Sequence, residues 1–367
     1  MSETLSIALD AMGGDRAPEI VVEGASLARE RFPNVRFLLF GDREKLDPLL
    51  ARSPNLVEAS KIRHTEHSVS MADKPSQVLR RGRTTSMGLS VAAVATGEAD
   101  AVVSAGNTGA LMALAMFQLK LMDGVDRPAI SALWPTESGR CVFLDMGANV
   151  EATASQLAQF AVLGTAFAQV MLGISRPRVG LLNVGSEEMK GHESVRDAAR
   201  LLRNTRLHMD FVGFVEGTDI ATGAADVIVT DGFTGNVAIK TAEGTARLIG
   251  HFMRESFRSN LLNKIGAGLA FGAFSQLKRR MDPHAFNGGV FLGLNGIVVK
   301  SHGGTDARGF ASAVDMAVNL AGSKFAHQIR EQVQILHSDP NIGEELAGQT
   351  DVPSSGQVKH KEEISAK

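Results

Sequence analysis

Four glycine-rich turns in the chain carry residue types that suit phosphate binding. They lie at 10–15, 104–109, 145–149 and 231–236, each after a short apolar run and each with Asn, Asp or Thr beside the glycines. Glycine lets backbone amides approach a ligand without a side chain in the way. A helix that begins after the turn adds free N–H groups and a partial positive charge. One such turn is more often an ordinary capping position, but the set of four predicts a phosphate site.

The turn at 104–109, Ser-Ala-Gly-Asn-Thr-Gly, is the strongest of the four. Asn107 or Thr108 can cap a helix that continues as Ala110 to Lys120. The motifs G-x-G-x-x-G and G-x-x-x-x-G-K-[ST] are both absent, so neither a dinucleotide fingerprint nor a P-loop is predicted. The residues predicted to bind phosphate or substrate are Asp10, Gly13, Gly14, Gly106, Asn107, Thr108, Gly109, Asn149 and Lys300.

Strand-like apolar runs, separated by helix-like segments, must position these turns. The runs lie at 5–9, 36–40, 101–104, 141–145, 179–183 and 227–230. Continuous apolar strands that alternate with helices predict a mostly parallel sheet with helices on both faces, which is a three-layer α/β fold. Ligands of such sheets bind beyond the carboxyl ends of the strands, and the four turns lie there.

The composition limits the class of protein. The chain has 367 residues, 44% of them apolar, which is enough for a substantial core. The formal net charge of −2 gives no general attraction to nucleic acid. A single cysteine, Cys141, fits a reducing compartment. No apolar run is expected to reach the ~18 residues that a membrane-spanning helix needs, so the chain is predicted to be cytoplasmic.

Five motifs resemble the signatures of the bacterial acyl-carrier-protein phosphate acyltransferases of phospholipid synthesis. They lie at 7–15, 103–112, 144–150, 231–237 and 299–303. Their order and spacing agree with the family from about Leu5 to Ala326. Five long motifs in one order are far more specific than a single glycine turn. The resemblance implies a fold like that of the isocitrate and isopropylmalate dehydrogenases and the phosphotransacetylases.

The resemblance also implies an activity and partners. The enzyme would transfer a fatty acyl group from acyl carrier protein to inorganic phosphate, giving acyl phosphate for the acylation of glycerol 3-phosphate. The family needs no cofactor, metal or nucleotide. Its members are homodimers attached peripherally to the inner face of the cell membrane, where a downstream membrane acyltransferase is the expected partner.

Three polar residues are predicted to contact the phosphate or the reacting carbonyl: Lys190, Asn236 and His302. Each lies just after an apolar strand-like run. For Lys190 the alternative is an ion pair with Glu187 on a solvated turn, and for His302 it is a structural hydrogen-bonding role. Both alternatives stay open at the level of sequence.

Direct attack of a phosphate oxygen on the thioester is the simplest mechanism for these residues. Cys141 lies inside an apolar run and is interpreted as a packing residue rather than a nucleophile. No G-x-S-x-G elbow is present. The enzyme then has to hold phosphate beside the carbonyl carbon and stabilise the developing oxyanion.

Three other functions are compatible with parts of the pattern. A short-chain phosphotransacetylase would use acyl-CoA with the same phosphate chemistry. A metal-dependent decarboxylating dehydrogenase would need nicotinamide and a divalent cation at clustered aspartates. A lipid-surface scaffold would show no turnover.

An apolar segment at 259–280 is predicted to protrude from an α/β domain at 1–337 as a helix. A basic cluster, Lys278 to Arg280, ends it and could meet anionic lipid. A helical hairpin at the dimer interface is the alternative. The polar tail at 338–367 is expected to stay solvated. The predicted membrane contacts are Leu261, Leu262, Ile265, Leu269, Phe271 and Phe274.

Overall fold

Eleven strands form one continuous sheet among the residues that the structure describes. The structure is a computed structural model and describes residues 4–338 except 204, 206, 260, 271 and 273–287. The strands are β1 (Ser6–Asp10), β2 (Arg36–Gly41), β3 (Ser60–His64), β4 (Ala101–Ser104), β5 (Ala129–Thr136), β6 (Gly139–Leu144), β7 (Arg178–Leu182), β8 (Asp210–Val215), β9 (Val227–Val229), β10 (Gly289–Leu292) and β11 (Ile297–Lys300). Their order across the sheet is β3-β2-β1-β4-β11-β10-β5-β6-β9-β7-β8.

Helices connect most of the strands. They are α1 (Glu19–Arg31), α2 (Arg43–Leu50), α3 (Pro54–Val57), α4 (Pro75–Arg81), α5 (Ser86–Ala95), α6 (Thr108–Leu119), α7 (Ala154–Leu172), α8 (Glu193–Arg203), α9 (Asp219–Thr222), α10 (Gly232–Arg258), α11 (Leu261–Leu269), α12 (Ala307–Ala321) and α13 (Phe325–Ser338). The last helix reaches Ser338, where the sequence predicted the tail to begin, and residues 339–367 lie outside the described part of the chain.

Strand direction reverses in the middle of the sheet. Of the pairings between described strands, seven are parallel and three are antiparallel, which confirms the prediction of a mostly parallel sheet. The antiparallel pairings all involve β10 or the β5–β6 hairpin. The first half, β1 to β4 with β11, therefore runs opposite to the second half, β6 to β9.

A row of residues, each paired in register with the next on the neighbouring strand, runs across both halves of the sheet. The row is Leu9, Val103, Val299, Val290, Ser131, Leu144, Val229 and Leu181. Strands of the first half end just beyond this row in one direction, and strands of the second half end just beyond it in the other. Val299 and Leu144 are three strand steps apart, about 14 Å at the usual strand spacing. The predicted site residues therefore fall into two clusters.

Helices cover both faces of the sheet. Leu9 and Val103 face an apolar cluster that contains residues of α1, α7, α8, α12 and α13. Ala8 and Val102 face the opposite cluster, with residues of α4, α5 and α6. Side chains alternate between the faces of a strand, and buried strands with apolar residues on both faces give the predicted three layers.

One described helix, α7, is long and apolar enough to cross a membrane, so the expectation that no run reaches this length was wrong. The helix begins with a capping box, Thr153 with Gln156, and ends at left-handed Gly173. Most of its residues are buried, and Phe167 contacts Phe325 of α13 edge to face at 6.1 Å. Its burial in the protein identifies α7 as a core helix.

Candidate functional site

Asp10, at the end of β1, lies beneath the turns of the first cluster. It is 1% exposed and accepts hydrogen bonds from the hydroxyls of Ser86 (2.6 Å) and Ser104 (2.7 Å). Burial raises the pKa of Asp10, and these two hydrogen bonds and the Lys300 charge oppose the rise. Ser104 Oγ also accepts from the Gly106 amide at 3.1 Å. Asp10, predicted to bind phosphate, thus supports the turn from below.

Lys300, at the end of β11, supplies a partly buried cation beside the same turn. Its Nζ lies 3.5 Å from the carbonyl oxygen of Ala105, and it also donates to Ser301 O. Burial lowers the pKa of Lys300 to about 8, although the charges of Asp10 and Asp15 act in the opposite direction. The ammonium group is therefore mostly charged at pH 7 and is available to an anion at the turn.

Asn107 fixes the start of α6. Its Oδ1 accepts from the Ala110 amide (3.1 Å), which confirms the prediction that it caps the helix. Its Nδ2 donates to the carbonyl oxygens of Met71 and Asp73, both at 3.0 Å. Because these contacts occupy the side chain, the groups at the turn that suit an anion are the first-turn amides of α6, at Thr108 and Gly109.

The glycines of the first cluster lie in closely packed surroundings. A Cβ on Gly106 would lie 2.6 Å from Met87 Cε, and one on Gly13 would lie 2.8 Å from the Gly106 amide nitrogen. Ligand approach to these glycines stays a prediction. The space at Gly13 lets the turns after β1 and β4 touch one another, the space at Gly106 is taken by Met87 of α5, and Gly14 adopts a φ of +111°.

His302 lies after β11, at the edge of the same cluster. Burial lowers its pKa, and the charges of Lys240 and Lys300 lower it further, so the ring is neutral at pH 7. Its Nδ1 accepts from the Gly304 amide at 3.2 Å, which places the ring proton on Nε2. A neutral histidine in this tautomer is a hydrogen-bond donor toward developing negative charge.

The second cluster is built around Asp145, which follows β6 and is fully buried. Its carboxylate accepts from the amides of Ile130 (3.1 Å), Gly147 (3.1 Å), Ala148 (3.0 Å) and Asn149 (2.8 Å), and from Asn149 Nδ2 (2.8 Å). Asn149 Nδ2 also donates to Pro128 O at 2.7 Å. The side chain of Asn149, predicted to bind substrate, thus holds the turn in shape.

Helix α10 begins against this turn. Asp231 caps it by accepting from the Thr234 amide at 2.8 Å, and the Gly232 amide donates to Asn149 O at 2.7 Å. Asn236 is exposed in the second turn of α10, and a Cβ on Gly147 would lie 3.8 Å from its Cγ. The predicted catalytic amide of Asn236 is therefore at the surface of the second cluster.

Gly235 is expected to tolerate no side chain. A Cβ there would meet the carbonyl oxygen of Asp145 at 1.9 Å, whereas a Cβ on Gly244 of the same helix meets nothing within 4 Å. Gly235→Ala should destabilise the fold by several kcal/mol, and Gly244→Ala should stabilise it by about 0.5–1 kcal/mol. Urea denaturation of the two variants measures both effects, and equal changes would contradict the tight packing of α10 on the Asp145 turn.

Lys190 lies on the turn after β7, which neighbours β9. Its Nζ is 2.7 Å from Glu187 Oε1, both side chains are exposed, and this hydrogen bond raises the pKa of Lys190. Its carbonyl oxygen accepts from Asn183 Nδ2 at 3.1 Å. The structure therefore shows the ion pair with Glu187 that was the alternative interpretation of Lys190. Lys190 has to leave Glu187 in order to contact a substrate.

Helix α10 connects the two clusters. It starts at Gly232 in the second cluster, and the charges of Lys240 and Glu243 act on His302 in the first. Eight residues of α-helix separate positions 232 and 240, about 12 Å of axial rise. The candidate site is therefore elongated, with an anion site at one end and the Asp145 turn at the other.

Neither a metal cluster nor an activated thiol is found in the described part of the chain. No group of three or more His, Cys, Asp or Glu residues is arranged as metal ligands there. Cys141 is fully buried, which confirms the prediction of a packing residue. Burial and the Asp226 charge raise the pKa of its thiol to about 12. The thiolate that a nucleophile requires is accordingly disfavoured.

Ser86 and Met87 were not predicted to belong to the site, and the support that Ser104 gives to Asp10 was not predicted either. Ser86 is 76 residues from Asp10 along the chain, and no local spacing connects them. Ser104 ended a predicted strand and carried a usable signal, because a hydroxyl at a strand end beside a buried carboxylate can donate to it. Met87 gives no signal beyond its apolar character.

Comparison with known proteins gives matches over most of the chain. The family model described as "Fatty acid synthesis protein" matches residues 5–328. The phosphate acyltransferase of Rhodospirillum centenum is 56% identical over 338 residues, which cover 92% of this chain and 95% of that protein.

Solved structures show the same fold at low sequence identity. EutD phosphotransacetylase from Staphylococcus aureus superposes with a TM-score of 0.58 and 17% identity, covering 87% of this chain and 95% of that one. The 4-hydroxythreonine-4-phosphate dehydrogenase from Klebsiella pneumoniae gives a TM-score of 0.51 and 15% identity, covering 88% and 99%. These similarities concern the fold alone.

Proposed function

We propose, from the premise that this chain belongs to the phosphate acyltransferase family, that its acyl donor is the thioester of acyl carrier protein. Transfer of an acyl group to phosphate in fatty acid and phospholipid synthesis is the activity of the family. The product would be a fatty acyl phosphate for acylation of glycerol 3-phosphate. The reversed sheet halves also support the finer assignment of the fold to the isocitrate and isopropylmalate dehydrogenase type.

The arrangement of Lys300 beside the turn at Gly106 to Gly109 supports phosphate as the acyl acceptor in this proposal. Phosphate at the turn would accept from the amides of Thr108 and Gly109 and lie near the partly buried ammonium of Lys300. Helices α1, α6 and α12 each begin after the carboxyl end of a neighbouring parallel strand, so their dipoles add positive potential at this edge.

The reaction needs one displacement at the thioester carbonyl. A phosphate oxygen attacks the carbon, the new C–O bond forms, and the C–S bond breaks with its electron pair leaving on sulfur. A thiol of pKa about 8.5 leaves as thiolate without strong acid assistance. His302, neutral with its proton on Nε2, donates to the developing oxyanion or to the phosphate. Asn236, and Lys190 once it leaves Glu187, would supply further donors from the second half of the sheet.

The identity of the acyl donor is tested by giving the protein phosphate and one of two thioesters, acyl carrier protein that bears a long-chain acyl group or acyl-CoA. The assay contains EDTA and no nucleotide. Acyl phosphate from the carrier thioester is the expected product. Product from acyl-CoA alone would favour the short-chain phosphotransacetylase alternative. No product from either would contradict the proposal and leave the scaffold alternative.

The pH dependence of phosphate use should follow Lys300. Because its pKa is about 8, the ammonium charge is present below pH 8 and is lost above it. We expect kcat/KM for phosphate of the wild type, divided by that of Lys300→Met, to fall as pH rises from 7 to 9. Both proteins share the ionisation of phosphate, so the ratio isolates the lysine. A constant ratio would contradict this role.

A homodimer formed through α10 is the proposed assembly. The helix extends for 27 residues with few of them buried. Its exposed apolar side chains are Phe233, Val237, Leu248, Ile249 and Phe252. Apolar surface of this extent on one helix marks an interaction site in soluble proteins, and a second copy of the chain would cover it.

The peripheral membrane contact is proposed for α11. Leu262, Ile265 and Leu269 are exposed and lie along one side of this helix. The Leu261 side chain, Phe271, Phe274 and Lys278 to Arg280 lie outside the described residues. A long-chain acyl phosphate is poorly soluble, so release beside the inner face of the cell membrane, near a membrane acyltransferase, supports a cytoplasmic enzyme bound at that surface.

Flotation with anionic vesicles distinguishes a membrane contact through α11 from a dimer contact through α10. Leu262→Glu with Leu269→Glu should abolish flotation and leave the dimer and its turnover in solution intact, because charged side chains oppose entry into the headgroup boundary. The matched pair Leu248→Glu with Ile249→Glu in α10 should instead produce monomers. Monomers from the α11 variant would assign α11 to the dimer interface and rule out the membrane contact.

A further inference from the structure

A cavity of about 430 Å³ lies next to the phosphate turn and has no part in the mechanism above. Its wall is formed by the chain between Ser68 and Thr85. Asp73 lines the cavity, and its carbonyl oxygen accepts from Asn107 of the turn. Thr85 also lines it and precedes Ser86, the donor to Asp10. The cavity therefore borders the segment that contacts the phosphate turn.

The cavity is basic. Arg80 and Arg81 line it and are exposed, and among the described residues neither guanidinium has a hydrogen-bond or ion-pair partner. The stretch 68–85 carries four basic residues and one acidic residue, Asp73, in a chain whose net charge is −2. Guanidinium groups bind phosphate oxygens in pairs of parallel hydrogen bonds. The cavity is therefore suited to a phosphate ester.

The other residues that line the cavity suit an extended ligand that carries amide groups. Ser68 and Gln77 offer a hydroxyl and a primary amide, while Val69 and Val78 form an apolar base. The volume lies within the range of small-molecule pockets. A ligand here would place a negative group on the arginines and extend amide and methylene groups toward the turn.

We propose that this cavity binds the phosphopantetheine arm of the acyl donor, with its phosphodiester on Arg80 and Arg81 and its thioester at the Gly106 turn. The arm is about as long as five extended residues, roughly 17 Å, and combines a phosphodiester with two amides. This inference rests on the proposed function, because it assumes a thioester donor. Carrier proteins and coenzyme A bear the same arm, so the test has to separate the two sources.

The test compares the Arg80→Gln, Arg81→Gln double variant with wild type on three donors: acyl carrier protein, acyl-CoA and acyl-pantetheine, which lacks the phosphate. The variant should raise the KM for both phosphate-bearing donors by about tenfold or more, because charge-assisted hydrogen bonds are lost. Its KM for acyl-pantetheine and for inorganic phosphate should not change. Arg80→Lys with Arg81→Lys should recover part of the loss.

Arg83→Gln is the matched control. Arg83 belongs to the same basic stretch but stacks on the Phe117 ring, 4.5 Å from its centroid, and does not line the cavity. Its donor KM should stay within about twofold of wild type, the change expected for an exposed charge. Thermal melting of each variant verifies folding.

Three outcomes would overturn the inference. A higher KM for the carrier protein alone would place the arginines against the protein surface of the carrier. Equal losses with acyl-pantetheine would exclude recognition of the phosphodiester, and unchanged KM values would exclude the cavity. Wild-type protein that makes no acyl phosphate from any donor would instead refute the proposed function, which keeps the two failures distinct.

Discussion

Replacing Lys300 with methionine is expected to lower kcat/KM for phosphate by about 10²–10³-fold, the usual effect of removing a donor aimed at charge in a water-poor site. Methionine has a similar length and fills the same partly buried space. Initial rates at pH 7 with phosphate as the varied substrate measure the loss.

The stability of this variant separates a functional lysine from a structural one. Because the pKa of Lys300 in the folded protein lies below its ordinary value, the charged lysine opposes folding below pH 8, and this cost falls as pH rises. Lys300→Met should therefore unfold at an equal or higher temperature at pH 7. A variant that loses stability and keeps its activity would show that the lysine holds the fold together.

Asp145→Ala is expected to destabilise the protein by several kcal/mol, because it removes a fully buried carboxylate that accepts from four backbone amides, one of them at buried Ile130. Four amide donors and the Asn149 side chain converge on this one carboxylate. A loss of this size is a large fraction of the stability of an ordinary domain. Chemical denaturation followed by circular dichroism measures it.

Asp231→Ala is the control for this prediction. Asp231 lies two residues beyond the neighbouring strand β9 and caps α10, and among the described residues its carboxylate accepts only from the amide and the hydroxyl of Thr234. Removing a helix cap typically costs about 1 kcal/mol. Similar losses at the two aspartates would mean that the amide contacts of Asp145 contribute little.

The strand ends of the site were predictable from the sequence because strong local signals mark them. The apolar runs before Asp10, Gly106 and Asp145 are continuous and short, and each ends at glycine and a polar residue. Strands β1, β4 and β6 lie within a residue or two of the predicted runs. The cap of α6 at Asn107 was predictable for the same reason, since its signal is a local spacing.

The reversal of strand direction was not predictable in this way. Strands β5 and β10, which cause it, were not recognised, and neither was the edge strand β3. The β3 sequence Ser-Lys-Ile-Arg-His has one large apolar residue, so it lacks the pattern that identifies a buried strand. Alternation of strands and helices does not encode direction, and all the turns were consequently assigned to one edge.

The roles of individual polar groups depended on distant partners. Asn107 was predicted to bind phosphate, yet its amide holds Met71 and Asp73, more than 30 residues away. Asp10 pairs with Ser104, 94 residues away. Sequence patterns locate residues that can do chemistry. Which of them face a ligand and which hold the others in place is decided by tertiary contacts.

The partly buried position of Lys300 has a consequence for proton balance. At pH 8 about half of the unliganded molecules hold a proton on this amine, since its pKa is about 8. An anion bound beside it favours the charged form and raises that pKa, so each binding event draws a fraction of a proton from the buffer. Phosphate occupancy and proton uptake are thermodynamically linked, and the apparent binding enthalpy near pH 8 includes the ionisation enthalpy of the buffer.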